Sequence, residues 1–154
     1  MRSSLWLLLL LLSTAAQART LAVYVDGTLP GIADGAPIIA GLMAGQQVAG
    51  WTFSPGDPHA ALAANRVQWT ITLLPFAGDT AQRIGRLLAR RQDLFGRYRY
   101  IRVEVRVFLD GLYQTTSFAT GEVQGGADDP KLKGLVQEIT GPLLTIGLEP
   151  QHAP

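Results

Sequence analysis

Residues 98–118, YRYIRVEVRVFLDGLYQTTSF, decide the fold class. Ile101, Val103, Val105, Val107 and Leu109 alternate with Arg102, Glu104, Arg106 and Phe108. Period-two alternation over so many positions is the signature of a strand with one face on a core and the other toward water. Asp110-Gly111 follows at once, and Asp-Gly tolerates the positive φ angles of a type I′ turn, so a two-residue β-hairpin is predicted. An uninterrupted hairpin register sets Leu109 opposite Leu112 and Val103 opposite Phe118. The returning strand, LYQTTSFATGEV, is more polar and extends toward Val123.

Upstream, RVQWTITLL (66–74) puts Val67, Trp69, Ile71 and Leu73 on one face, and Pro75 ends the strand because it has no N–H for the ladder. Asp79 and Gln82 have the spacing of a capping box for a helix over residues 80–92. Its apolar stripe is Ala81, Ile84, Leu87 and Leu88; Arg83, Arg86 and Arg90 lie opposite. Near the start, TLAVYVD (20–26) is a short alternating strand. Residues 27–58 are rich in Gly and Pro and contain no Lys or Arg. A structureless loop of that length is unusual in a compact domain, so short strands are expected near 37–40 and 48–53. Gly41 and Gly45 read as a turn.

Downstream, Gly125-Gly126 breaks the chain, and Asp128-Asp129-Pro130 opens a second helix with an acidic cap. Leu132, Leu135, Val136 and Ile139 form its apolar stripe, and Gly141-Pro142 stops or kinks it. Leu144, Ile146 and Leu148 then fit either a short last strand or an irregular tail. The expected class is α+β: a mainly antiparallel sheet with two helices packed on one face.

Residues 1–18, MRSSLWLLLLLLSTAAQA, have a basic start, a short leucine run and an Ala-Gln-Ala cleavage site. That is the pattern of a secretory signal peptide, and the run is too short to span a bilayer. The chain is therefore expected to be exported, to a periplasm or outside the cell, with no membrane span once the signal is cleaved. Removing 18 of 154 residues leaves 136, enough for one domain, 19–154, without disulfides. The absence of cysteine excludes thiolate metal sites, cysteine nucleophiles and disulfide scaffolds.

Charge is segregated. Residues 83–106 carry eight arginines against Asp93 and Glu104, while the rest of the mature chain is net acidic. Such a field steers anionic partners. Nucleic acid is not expected, because the chain is exported and carries no nucleic-acid motif. Tyr98 and Tyr100 share the outward strand face with Arg102 and Arg106, and Tyr and Arg are enriched in binding hot spots. The candidate surface is therefore Arg83, Arg86, Arg90, Tyr98, Tyr100, Arg102 and Arg106. It would recognise a protein or an anionic envelope component. The bland alternative is a solvated helix face beside an Arg–Glu–Arg ladder.

No Gly-x-Ser-x-Gly elbow and no phosphate-binding glycine loop occurs, so a non-catalytic binding or accessory role is expected, with no cofactor. Two alternatives stand beside it. One is a hydrolase or metal-dependent enzyme using Asp57 and His59 in the segment Ser54-Pro-Gly-Asp-Pro-His59. The other is a structural component that assembles through strand edges.

Overall fold

The computed structural model describes residues 18–74 and 99–148. The leucine-rich residues 1–17, the expected helix over 80–92 and the tail with His152 lie outside the described residues. The elements are β1 (Arg19–Asp26), α1 (Gly35–Ala44), β2 (Trp51–Pro55), β3 (Arg66–Leu73), β4 (Arg99–Leu109), β5 (Leu112–Val123) and α2 (Pro130–Leu148). The five strands form one sheet in the order β2-β1-β3-β4-β5. The fold is α+β, and the long β3–β4 and β4–β5 ladders make the sheet mostly antiparallel. Its other half is parallel, because β1 runs parallel to both of its neighbours.

The parallel half follows from α1. A strand can return parallel beside its predecessor only through a crossover, and α1 is that crossover between β1 and β2. Residues 37–40, expected as a strand, are helical, and Gly41 lies within the helix rather than in a turn. The Asp34 carboxylate caps the start, accepting from the Ala36 N–H at 3.2 Å. Ile39, Ala40 and Met43 bury against the sheet. Gly45 closes the end, its N–H donating to the Gly41 carbonyl at 3.1 Å.

The core lies between one sheet face and the two helices, which pack against each other. Leu21 and Val23 come from β1, Val67, Trp69 and Ile71 from β3, and Ile101, Val103, Val105 and Val107 from β4. Leu132, Leu135, Val136, Ile139, Leu143 and Leu144 close it from α2. The Trp69 indole N–H is buried without a partner among the described residues, an unfavourable term that the ring's apolar burial outweighs.

Asp129 starts α2. Its Oδ1 accepts from Lys131 N at 2.9 Å, while Oδ2 accepts from Gln124 N at 2.6 Å and Gly125 N at 3.1 Å. One buried carboxylate thus caps the helix and fixes the loop leaving β5. The helix neither stops at Gly141-Pro142 nor gives way to a strand; it runs on to Leu148. Leu143 and Leu144 are buried just beyond the proline, and that burial offsets the lost backbone bond. The Thr145 hydroxyl donates to the Gly141 carbonyl at 3.0 Å. Gln46, after α1, donates through Nε2 to the buried Thr140 hydroxyl and ties the two helices together.

The hairpin turn is as the sequence implies. Asp110 and Gly111 have φ of 51° and 81°, and Leu109 faces Leu112. The register beyond it is not. Phe108 pairs with Tyr113 but Val107 pairs with Thr115, so Gln114 is an extra residue, a β-bulge. Past the bulge Val103 faces Ala119, and Phe118 faces Glu104. Because side chains alternate, that one-residue shift decides which face each later side chain joins. It turns Phe118 to the solvent side and sends the small residues Ser117, Ala119 and Gly121 inward. Small is what fits there: a Cβ on Gly121 would sit 3.1 Å from Leu135 Cδ1.

Deleting Gln114 should therefore be tolerated, since Thr115 would follow Tyr113 in a regular ladder with all faces kept. The expected loss is within about 1–2 kcal/mol, comparable with other local changes. Urea unfolding checks it; a deletion variant that is insoluble, or loses most of its stability, would mean the extra residue lies elsewhere.

Candidate binding face

The outer sheet face is covered unevenly. Tyr24 on β1 lies under the segment that joins β2 to β3. Its hydroxyl accepts from Ala63 N at 3.0 Å, and its ring lies so close to Gly56 that a Cβ there would be 2.4 Å from Cε1. The hairpin tip is fixed to the same segment. Asp110 N donates to Asn65 Oδ1, and Gly111 N donates to the Ala64 carbonyl, both at 2.9 Å. Arg19 joins this corner through a 3.0 Å ion pair with Asp110 while its guanidinium stacks over Trp51.

Across β3, β4 and β5 no element among the described residues covers the outer face. Tyr100, Tyr113 and Phe118 are 41%, 57% and 56% exposed, large values for aromatic rings on regular strands. Phe108 and Tyr113 meet edge to face, with centroids 5.9 Å apart. Arg66 stacks over Phe108 at 3.9 Å and donates through Nη1 to the Ala63 carbonyl at 3.0 Å. Arg102 lies over Phe118 at 5.6 Å. Each such cation–ring contact is worth about 0.5–1 kcal/mol when exposed. The Tyr113 hydroxyl lies 2.9 Å from that of Thr116. Glu104, Arg106, Phe108, Tyr113, Thr116 and Phe118 enclose a shallow cleft of about 420 Å³.

Of the residues that the sequence singled out, Tyr100, Arg102 and Arg106 share this face. Arg83, Arg86, Arg90 and Tyr98 lie outside the described residues. The arginines in view are partly compensated. Arg106 donates through both Nε and Nη2 to Glu104 Oε1, and Glu122 pairs with Lys131 at 2.9 Å. The face is thus more aromatic and less cationic than the run of arginines implies. Phe118 and Thr116 were not legible as part of it, whereas Tyr113 faces the outward Phe108 in the plain hairpin register as well and was simply not singled out. An uninterrupted hairpin register points Phe118 into the core, and the polar alternation of β5 is too weak to reveal the bulge.

Asp57 and His59 are close in space only as parts of one turn. The Asp57 carboxylate accepts from the backbone N–H of His59 at 2.8 Å, a local Asx turn. Both residues are exposed. Among the described residues no group of three or more His, Asp or Glu side chains converges on a point. No helix among them is long and apolar enough to cross a membrane. No family model, curated protein or solved structure matches this chain.

Proposed function

We propose that this is an exported, non-catalytic accessory protein that recognises a polypeptide in the cell envelope or beyond through the open face of β4 and β5. The observation that carries the reading is the set of exposed aromatic side chains on this face, Tyr100, Tyr113 and Phe118, of which the last two line a cleft bordered by an Arg–Glu pair. Exposed rings with nearby guanidinium groups are the usual anchors of protein interfaces. The pairing of Arg106 with Glu104 favours a polypeptide over a simple polyanion, since a polyanion would have to compete with that carboxylate. An anionic envelope component remains the second reading, resting on the arginines at 83, 86 and 90. Export is supported by position: β1 starts at Arg19, the residue after the expected cleavage site.

A photo-crosslinking phenylalanine analogue at Tyr100 tests the reading in the native envelope. Tyr100 is on β4, inside the sheet, and replacing one aromatic ring by another keeps the packing. The expected result is a discrete adduct with another polypeptide that is absent when the analogue replaces Leu62, which is exposed on the β2–β3 segment. Capture should fall with Arg102→Gln and Arg106→Gln together. No adduct from Tyr100, or binding only to anionic lipid or glycan that vanishes at raised salt, would sink the polypeptide reading.

A further inference from the structure

The two edges of the sheet are unlike. β2 is five residues long, ends in Pro55 and has α1 packed against it; short strands and prolines are the ordinary protection of an edge. β5 is twelve residues long and carries a single charge, Glu122. Among the described residues, its backbone makes no hydrogen bond to other backbone outside its ladder with β4; only Gln114 Nε2 reaches the Leu112 carbonyl, at 3.1 Å. The bulge disturbs the tip of this edge and leaves Thr115–Val123 regular. Lysine, the commonest guard of an open edge, is absent from the strand.

From this contrast we infer that β5 pairs antiparallel with β5 of a second copy of this chain, joining two five-stranded sheets into one. A protected edge on one side and a bare one on the other excludes head-to-tail chains of molecules and leaves the isologous contact, which closes as a dimer. The geometry permits it. A two-fold axis normal to the sheet makes the strands antiparallel and keeps the same face of both sheets on the same side. Residues then pair only with residues of the same face, so the axis passes midway between one residue of β5 and its own copy. Centred on Ser117, Phe118 or Ala119, the pairing sets Phe118 opposite a Thr or its own copy, a favourable cross-strand pair. In none of these registers does Glu122 meet its own copy, so the strand's one charge raises no repulsion. Both helical layers lie on the far face, and the two aromatic clefts come side by side. This inference is independent of the envelope-partner reading.

The test uses the mature chain, residues 19–154, which has no cysteine of its own. Sedimentation of the wild type should show a concentration-dependent monomer–dimer equilibrium. Of Ser117→Cys, Phe118→Cys and Ala119→Cys, the variant at the centre of the register should form an intermolecular disulfide under mild oxidation, because that residue directly opposes its own copy within disulfide reach. Leu62→Cys, equally exposed but on the β2–β3 segment rather than on the β5 strand, should stay monomeric under the same conditions. Thr120→Lys should weaken the dimer on the order of tenfold, since the two-fold axis counts each new charge twice, while thermal unfolding at low concentration stays unchanged. A wild type that stays monomeric from micromolar to millimolar concentration overturns the inference. So does a dimer that ignores Thr120→Lys and gives no disulfide from Ser117→Cys, Phe118→Cys or Ala119→Cys, or monomers that pair β5 only with a different polypeptide.

Discussion

Val105→Asp should yield no folded protein. Val105 is fully buried at the middle of β4, with Trp69 on one side and Ser117 on the other. Among the described residues no cation is buried. A carboxylate there must either stay charged in an apolar layer or take up a proton and remain without a good partner. Either outcome costs several kcal/mol, in addition to the lost valine contacts. Domains of this size are stable by only about 5–15 kcal/mol, so the substitution removes most or all of the margin. Val105→Ala calibrates the site: lost transfer energy plus a small cavity should cost about 1–3 kcal/mol, with the urea slope unchanged. Solubility and urea unfolding of the two variants decide the matter. A soluble Val105→Asp protein with a cooperative transition would mean that the other face of β4 is the buried one.

Gly27→Ala should be the most damaging of the conservative changes. Gly27 leaves β1 with φ of +97°, a region an L side chain rarely adopts. A Cβ there would lie 2.1 Å from the Ile71 carbonyl oxygen and 3.0 Å from its carbonyl carbon, both backbone atoms of β3. Neither can swing aside as a flexible side chain would, because β3 is held by ladders on both sides. Backbone strain and overpacking together predict a loss of about 3–5 kcal/mol. Two controls separate these effects. Gly111→Ala, at φ +81° with open space around it, should cost only the conformational part, about 1–2 kcal/mol. Gly41→Ala, inside α1 with nothing within 4 Å, should be neutral or stabilising by up to about 1 kcal/mol. The urea midpoints of the three variants supply the check; a Gly27→Ala midpoint equal to that of Gly111→Ala would refute the close approach to Ile71.

How legible the fold was depended on contrast along each segment. β1, β3 and β4 alternate sharply between apolar and polar residues, so their faces were readable. α2 announced itself through Asp129 and the spacing of Leu132, Leu135, Val136 and Ile139. α1 did not, although its spacing was present: Ile38, Ile39, Leu42 and Met43 recur as a helix requires. The stretch Gly35–Ala44 carries no charged residue to mark an outer face, and two glycines and a proline lower its intrinsic preference for helix. Packing against β1, β2 and α2 overrides that preference. With α1 unread, the crossover was unread, and with it the parallel half of the sheet. Pro142 misled in the opposite direction, since burial of the two leucines beyond it holds the helix together. At the candidate face, Tyr100, Arg102 and Arg106 were placed by alternation alone. Phe118 and Thr116 required the bulge, which has no composition of its own.

The core is assembled from both ends of the chain. Leu21 and Val23 enter it from the first strand, Val136, Ile139 and Leu144 from the last helix, and the Gln46 side chain meets Thr140 across the sequence. β1 is an interior strand whose two partners are both made after it. No N-terminal fragment therefore contains a complete core, and a nascent chain lacks its closing layer until its final helix is synthesised. The contacts that stabilise the domain are also its slowest to form, because they bridge the greatest lengths of chain. Under the proposed export, late closure would keep the chain extensible for as long as threading through a translocation pore lasts.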